Sequence, residues 1–183
     1  MTFRSTLLAA ALSSASLLAH AGLISSTVTS QYYFNGGVYG PSSSFTADGA
    51  NHVNFMNYFQ VKVTGNQVIY DYSIFNGSAG WNTGATWTDG PLHIMNGNLL
   101  DFIGAPNIQH VALDASSTMA GFDASRISFD HNSIAVDWAG LSFNNSTRLV
   151  LNVDANNVPE PASYALVLVA LAGLGLAMRR SKA

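Results

Sequence analysis

Short runs of apolar and β-branched residues alternate with turn-forming residues between positions 22 and 157 of this 183-residue chain. Each run is followed by Gly, Asn, Asp or Pro, which is typical of the short strands of an antiparallel β-protein. Lys and Glu, which stabilise exposed helices, are almost missing here. The pattern predicts one all-β domain over residues 22–157, an antiparallel β-sandwich or jelly roll. The clearest runs are 27–34, 53–63, 67–75, 126–129, 134–138 and 148–153.

One hairpin is predicted in detail, because two of these runs are joined by the turn sequence Thr64-Gly65-Asn66. In its second strand, residues 67–75, alternate residues are predicted to share one face. Runs at 92–103 and 110–113 predict further strands, and a short helix at 99–103 remains an alternative. The alternating apolar residues of the second hairpin strand are Val68, Tyr70, Tyr72 and Ile74.

The first 21 residues have the pattern of a secretory signal peptide. Arg4 supplies a positive charge, residues 7–18 are apolar apart from serines, and Ala19 and Ala21 form a small-x-small cleavage site. Cleavage after Ala21 would leave Gly22 as the first residue. The alternative, a permanent N-terminal anchor, is disfavoured by the short apolar run.

A second apolar segment, residues 162–178, lies at the other end of the chain and is followed by the basic tail 179–183. As a helix of about seventeen residues it would reach roughly 25 Å, the short end of what spans a bilayer. Arg179 and Arg180 would hold the tail on the cytoplasmic side, since basic residues resist translocation. We therefore expect a single transmembrane helix with residues 22–157 outside the cytoplasmic membrane. A buried core helix is the alternative.

The only glutamate of the chain, Glu160, lies between Pro159 and Pro161, just before this segment. Proline fixes its own backbone angle and pushes the preceding residue towards extended geometry, so the tripeptide cannot enter the helix. The sequence predicts a short, stiff peptide at the outer membrane face, a form that an enzyme could recognise.

The order of these features over residues 158–183 resembles the PEP-CTERM sorting signal of Gram-negative bacterial surface proteins, with the motif at 158–161. The resemblance implies export, transient retention in the membrane and processing by an exosortase, which would recognise Pro159, Glu160 and Pro161. It also implies a final location at the cell surface or in an extracellular matrix, together with exopolysaccharide and biofilm. It assigns no catalytic residue to this chain.

The charge and the cysteine content of the chain exclude several classes of partner and of chemistry. Residues 22–157 contain three basic residues and nine aspartates, so they offer no basic patch for nucleic acid or anionic lipid. The chain has no cysteine, which excludes a disulfide scaffold and thiol chemistry. An exported domain of this size can fold without disulfides.

Two tryptophans, Trp81 and Trp87, lie in a glycine-rich stretch at 76–92. Aromatic faces pack against pyranose rings while Asn and Asp bind the hydroxyls, so one interpretation is a carbohydrate-binding platform. The other, which we favour, is that one or both indoles fill the end of the sandwich.

Three oxygen-bearing side chains, Asp123, Asp130 and Asn132, lie within ten residues around a turn and are a candidate calcium site. The alternative is that they make Asx turns, which Asp and Asn favour in β-proteins. The four histidines after residue 50 are too far apart to form a local zinc motif. No other cofactor is expected.

Catalytic patterns are scarce. A glycosidase needs two carboxylates at a defined separation, but Glu160 is the only glutamate and the sequence identifies no pair of aspartates for this role. The Gly-x-Ser-x-Gly motif of serine hydrolases does not occur either. The sequence therefore predicts a non-enzymatic surface or matrix protein. A carbohydrate-binding module is the first alternative and a hydrolase the second.

Overall fold

The computed structural model describes residues 22–156. The expected signal peptide with Ala19 and Ala21, the sorting motif, the apolar segment 162–178 and the arginines at 179 and 180 lie outside the described residues. The described part consists of strands and two 3-10 turns, Phe55–Asn57 and Ala124–Arg126. The strands are β1 (Thr27–Phe34), β2 (Gly37–Val38), β3 (Ser43–Thr46), β4 (Asn51–Asn54), β5 (Phe59–Val63), β6 (Gln67–Asp71), β7 (Ser78–Gly80), β8 (Trp87–Asp89), β9 (Leu92–Ile94), β10 (Asn96–Ile103), β11 (Asn107–Leu113), β12 (Ile127–Phe129), β13 (Ser133–Asp137), β14 (Ser142–Asn144) and β15 (Arg148–Asn156).

Two antiparallel sheets make up most of this architecture. The six-stranded sheet has the order β12-β13-β10-β1-β2, and β3 also pairs with β1. The five-stranded sheet has the order β11-β15-β6-β5-β4. The short pairs β7–β14 and β8–β9 form two further ribbons. The prediction of an all-β, antiparallel fold is thus confirmed.

The two sheets share one hydrophobic core, which makes the fold sandwich-like. Leu100 and Ile134 of the six-stranded sheet and Val61 and Leu149 of the five-stranded sheet are fully buried in the same cluster. Each comes from the inward face of its strand, because side chains alternate across a sheet with period two. Burial of these aliphatic faces, at about 25 cal/mol per Å², is the main force that holds the sheets together.

Aromatic side chains fill the centre of the core around Trp138, which is fully buried. Its ring centroid lies 5.3 Å from that of Phe59, 5.4 Å from that of Tyr70 and 6.3 Å from that of Tyr72. The ring planes of all three pairs meet at steep angles. Such edge-to-face pairs stabilise the core beyond the burial of their area.

The predicted hairpin is confirmed as β5–β6, with Val63 paired to Val68. The turn is closed by the amide of Thr64, which donates to the carbonyl of Gln67 at 2.9 Å. The predicted extent of the second strand, 67–75, is wrong, because β6 ends at Asp71 and Ile74, which is 39% exposed, lies beyond it.

The reason for the early end is local. The Asp71 carboxylate accepts a 2.8 Å hydrogen bond from the amide of Ser73, an Asx turn that stops the alternation before Ile74. The first strand of the hairpin also differs from the prediction. The run 53–63 is divided by the 3-10 turn Phe55–Asn57 into the end of β4 and all of β5.

The short helix considered at 99–103 is instead part of β10, whose Leu99 and Leu100 pair with Ala135 and Ile134. Glycine is required at position 97 of this strand, since a Cβ there would lie 1.8 Å from the carbonyl oxygen of Val136. The close approach lets β10 and β13 pair at the centre of the sheet.

Candidate functional site

An aromatic cleft lies between the edges of the two sheets. On one side the chain crosses from β2 to β3 along the edge of β1, and on the other it passes from β4 to β5 through the turn Phe55–Asn57. The cleft has a volume of about 640 Å³ and twelve lining residues. Further along the same edge, the ring of Phe45 in β3 stacks on His52 in β4 at 4.3 Å and closes the sandwich.

Aromatic rings form one wall of the cleft. Phe55 stacks on Tyr32, with centroids 3.8 Å apart and planes 16° apart. Tyr39 meets both rings edge-on, at 5.9 Å from Tyr32 and 6.1 Å from Phe55. Tyr32 is buried, whereas Tyr39 is 52% exposed. The cleft therefore presents an aromatic surface that no described residue covers.

An unusual turn forms the rim. Met56 and Asn57 have φ angles of 52° and 60°, in the left-handed region that Asn tolerates and a long apolar side chain avoids. The turn is held by the Asn54 side chain, which accepts from the amide of Phe55, and by a 2.9 Å bond from the amide of Tyr58 to the carbonyl of Phe55. As a result, the Met56 side chain is 66% exposed beside the aromatic wall.

A buried polar network forms the floor. The Ser30 hydroxyl donates to Asn54 Oδ1 at 2.9 Å and accepts from Asn98 Nδ2 at 2.9 Å. Asn98 Oδ1 accepts from the Tyr70 hydroxyl at 3.1 Å, and Asn98 Nδ2 also donates to the carbonyl of Gln31. Ser30 and Asn98 belong to one sheet, and Asn54 and Tyr70 to the other, so the network bridges the sandwich. Burial raises the pKa of the Tyr70 phenol well above its usual value.

Two polar atoms of the lining have no hydrogen-bond partner among the described residues, Asn54 Nδ2 and Ser43 Oγ. The assignment of Asn54 is fixed by its neighbours, because its Oδ1 accepts from the amide of Phe55 at 3.0 Å and a flipped amide would place a donor there. Buried polar groups are almost always paired, so two unpaired atoms in one cleft need an explanation.

A second cavity of about 290 Å³ continues from the aromatic cleft past Tyr32 and Phe55 towards Trp81 and Asn96. The Tyr32 hydroxyl donates to Asn96 Oδ1, and Asn96 Nδ2 donates to the carbonyl of Asn82. Burial raises the pKa of Tyr32 above its usual value, so its hydroxyl keeps its proton at neutral pH.

The structure separates the two tryptophans that the sequence singles out. Trp81 is 6% exposed and stacks between Trp138 at 5.1 Å and Phe143 at 4.8 Å, so it fills the end of the core. Trp87 is half-buried on the outer face of the six-stranded sheet, 4.2 Å from Tyr33. They belong to different clusters and form no common platform.

The three residues of the candidate calcium site are engaged in local turns. Asp123 accepts from the amide and hydroxyl of Ser125, which lowers the pKa of its carboxyl, the hydroxyl contributing most. Asp130 accepts from the amides of Asn132 and Ser133. Asn132 itself is exposed. Calcium binding stays a prediction. Over residues 22–156 there is no cluster of three or more His, Asp or Glu with the spacing of a metal site.

The cleft residues Tyr39, Asn54 and Met56 were not among the residues that the sequence analysis identified. Their signal is weak: Tyr39 stands in a turn-rich stretch, and Met56 stands between Phe55 and Asn57 in a run that alternates like a strand. Only the left-handed turn and the spacing between the edges of the two sheets bring them together.

Comparison with known proteins finds a match in the C-terminal segment of the chain. Residues 157–181 match the family model described as the PEP-CTERM protein-sorting motif, which confirms the resemblance stated above. No curated protein and no solved structure matches the chain. Within residues 22–156, no helix has the length and apolar character needed to cross a membrane.

Proposed function

Because the chain carries a PEP-CTERM protein-sorting motif at residues 157–181, we propose that it is a non-enzymatic exported protein of the cell surface or extracellular matrix. In this proposal the signal peptide directs export, the apolar segment 162–178 holds the precursor in the membrane, and an exosortase processes the chain near Pro159–Pro161. The product then associates with exopolysaccharide in a biofilm matrix. The motif match is the observation that carries the proposal.

The position of the last strand supports accessibility of the motif. β15 pairs with β11 up to Asn156, which lies opposite Asn107. Pro159 follows Asn156 by three residues and so cannot lie more than about 11 Å from it. β15 therefore ends three residues before the Pro159–Pro161 tripeptide at which the proposal places processing.

Intact-mass spectrometry of protein recovered from the native cell surface and medium tests this proposal. We expect a chain that begins at Gly22 and ends near Pro161, and any excess mass would identify an attached group. A wild-type mass that retains residues 162–183 would contradict processing.

The variant Glu160→Gln removes the only glutamate of the motif, so we expect the precursor with residues 162–183 to accumulate at the membrane. Asp154→Asn is the matched control, since it neutralises an exposed carboxylate six residues earlier, within β15. Normal processing of the Glu160→Gln variant, or equal loss of processing in both variants, would refute recognition of the motif.

A further inference from the structure

The aromatic cleft brings together three of the six large apolar side chains that are exposed over residues 22–156. Tyr39, Val53 and Met56 are each more than half exposed, and all three line the cleft. Single exposed apolar residues need no explanation, but a group of them around a concave surface marks a binding site. Met56 has a left-handed backbone conformation, which costs conformational free energy and holds its side chain at the rim of the cleft. Such strain is typical of functional sites.

The polar character of the cleft indicates hydrogen bonding to a ligand. Within residues 22–156, Asn54 Nδ2 is a donor without a partner, and Ser43 Oγ, also without one, can both donate and accept. They belong to opposite sides of the cleft, since Ser43 begins β3 and Asn54 ends β4. A ligand that lies between the sheet edges can therefore bind both, after the small side-chain movements that uncover them.

The charge of the cleft limits the class of ligand. All twelve lining residues are uncharged, although residues 22–157 carry nine aspartates and three basic residues. An anionic ligand would meet an acidic protein without a local basic partner, and a cation would find no carboxylate in the lining. A neutral ligand with an apolar ring face and several hydroxyls fits both the aromatic wall and the two unpaired atoms.

We propose that the aromatic cleft binds a neutral saccharide, with a pyranose ring packed against Tyr39 and ring hydroxyls bound by Asn54 Nδ2 and Ser43 Oγ. The C–H face of a pyranose packs on an exposed aromatic ring, and its hydroxyls accept from an amide and donate to a hydroxyl. Met56, an unbranched and polarizable side chain, adapts to the other side of the ring. The site differs from the tryptophans at 81 and 87, and it does not depend on the sorting motif, so processing and saccharide binding can fail separately.

Calorimetric titration of the full chain tests the proposal, in a polyoxyethylene detergent that has no sugar headgroup. The neutral probes are hexasaccharides of β-1,4-linked glucose, α-1,4-linked glucose and β-1,4-linked N-acetylglucosamine. Hexagalacturonate is the anionic probe, and a proline-rich hexapeptide represents an extended peptide. We expect binding of at least one neutral saccharide. Binding of none of the three, or of only the anionic or peptide probe, would overturn the proposal.

Variants of the wall and the floor locate the site. Tyr39→Ala should weaken binding by about tenfold or more, whereas Tyr39→Phe keeps the ring face and should stay within about threefold. Asn54→Asp keeps the oxygen that accepts from Phe55 but loses the free donor, so it should weaken binding by a similar factor. Trp87→Ala, at a half-buried aromatic residue outside the cleft, should bind like the wild type. Binding that survives both Tyr39→Ala and Asn54→Asp would refute this location.

A second measurement does not depend on variants. The chain contains five methionines, so the methyl signals of a methyl-labelled protein can be resolved by NMR. On addition of the saccharide, the Met56 signal should shift, whereas that of Met119, a core residue outside the cleft, should not. Equal shifts at both positions, or no shift at Met56, would contradict binding in the cleft.

Discussion

The buried side chain of Asn98 joins the two sheets, and its removal should destabilise the fold more than removal of any single partner. Its amide contacts Ser30 and Gln31 in the six-stranded sheet and the Tyr70 hydroxyl in the five-stranded sheet, and it is fully buried. In Asn98→Ala, the Ser30 hydroxyl keeps its bond to Asn54, but the fully buried Tyr70 hydroxyl loses its partner.

The magnitude follows from the groups left unpaired. A buried donor or acceptor without a partner costs about 1–3 kcal/mol, and Asn98→Ala affects both the Tyr70 hydroxyl and the Gln31 carbonyl. With the small cavity that remains, we expect a loss of about 3 kcal/mol in the free energy of unfolding. Tyr70→Phe removes the hydroxyl itself, and Asn98 Oδ1 keeps a contact with Ser30, so its cost should be about 1 kcal/mol.

The double variant gives the sharper test. In the Asn98→Ala background, the Tyr70 hydroxyl is buried without a partner and destabilises the fold. Adding Tyr70→Phe should therefore raise the free energy of unfolding by about 1 kcal/mol rather than lower it further. Urea unfolding of the full chain in detergent, followed by tryptophan fluorescence, measures all three variants. Asn152→Ala is the matched control, because this half-buried asparagine also makes two side-chain hydrogen bonds, on a solvated face, and should cost about 1 kcal/mol or less. A double variant less stable than Asn98→Ala would refute the reasoning.

Three further predictions concern single positions. Gly97→Ala should prevent folding, because its Cβ would lie 1.8 Å from a main-chain carbonyl oxygen of β13, whereas Gly37→Ala has no atom within 4 Å and should be neutral; soluble yield and circular dichroism distinguish them. The Ser116 hydroxyl contributes most to lowering the pKa of Asp114 to about 2, so this carboxylate stabilises the fold above the pKa of an unfolded aspartate, about 4, and the contribution is lost as pH falls towards 2. Ser116→Ala should raise that pKa in an NMR titration, and an unchanged value would contradict the assignment. Met56→Gly should raise the free energy of unfolding by about 1 kcal/mol by relieving the left-handed backbone, and a loss of stability would show that Met56 contributes packing that outweighs this strain.

The strands that the sequence predicts well are those with one face in the core. In β15, Leu149, Leu151 and Val153 alternate with more polar positions and are buried as expected. In β1, the predicted and observed bounds, 27 and 34, coincide because the Asn35-Gly36 turn ends the strand sharply. Where only one face of a strand is buried and turn-forming residues follow it, the alternation of apolar residues and the turn residues are enough to predict the strand and its buried face.

Other features depend on contacts that the sequence does not encode locally. Ala135 and Asp137 alternate with the core residues of β13 and are also buried. The β8–β9 ribbon packs against Ala135, and the Asp137 carboxylate accepts from the amides of Asn96 and Ala139. The first strand of the ribbon, β8, lies in the glycine-rich stretch 76–92, where no strand is predicted, and the second, β9, lies within the predicted run 92–103. The sequence does not predict the aromatic cleft either, because the cleft arises from a left-handed turn and from the spacing of two sheet edges, and neither produces a periodic pattern.

The register of the strands places the cleft and both ends of the described chain at opposite ends of the sandwich. The cleft lies where β4 ends and β5 begins. The start of β5 pairs with Asp71 at the end of β6, and Asp71 also pairs with Arg148, the first residue of β15. β15 therefore begins at the end of the sandwich that holds the cleft. From there β15 runs nine residues to Asn156, about 27–30 Å away. The amide of Leu23 donates to Gly65 at that same far end, next to the start of β6. The described chain therefore begins and ends on the side of the sandwich away from the cleft.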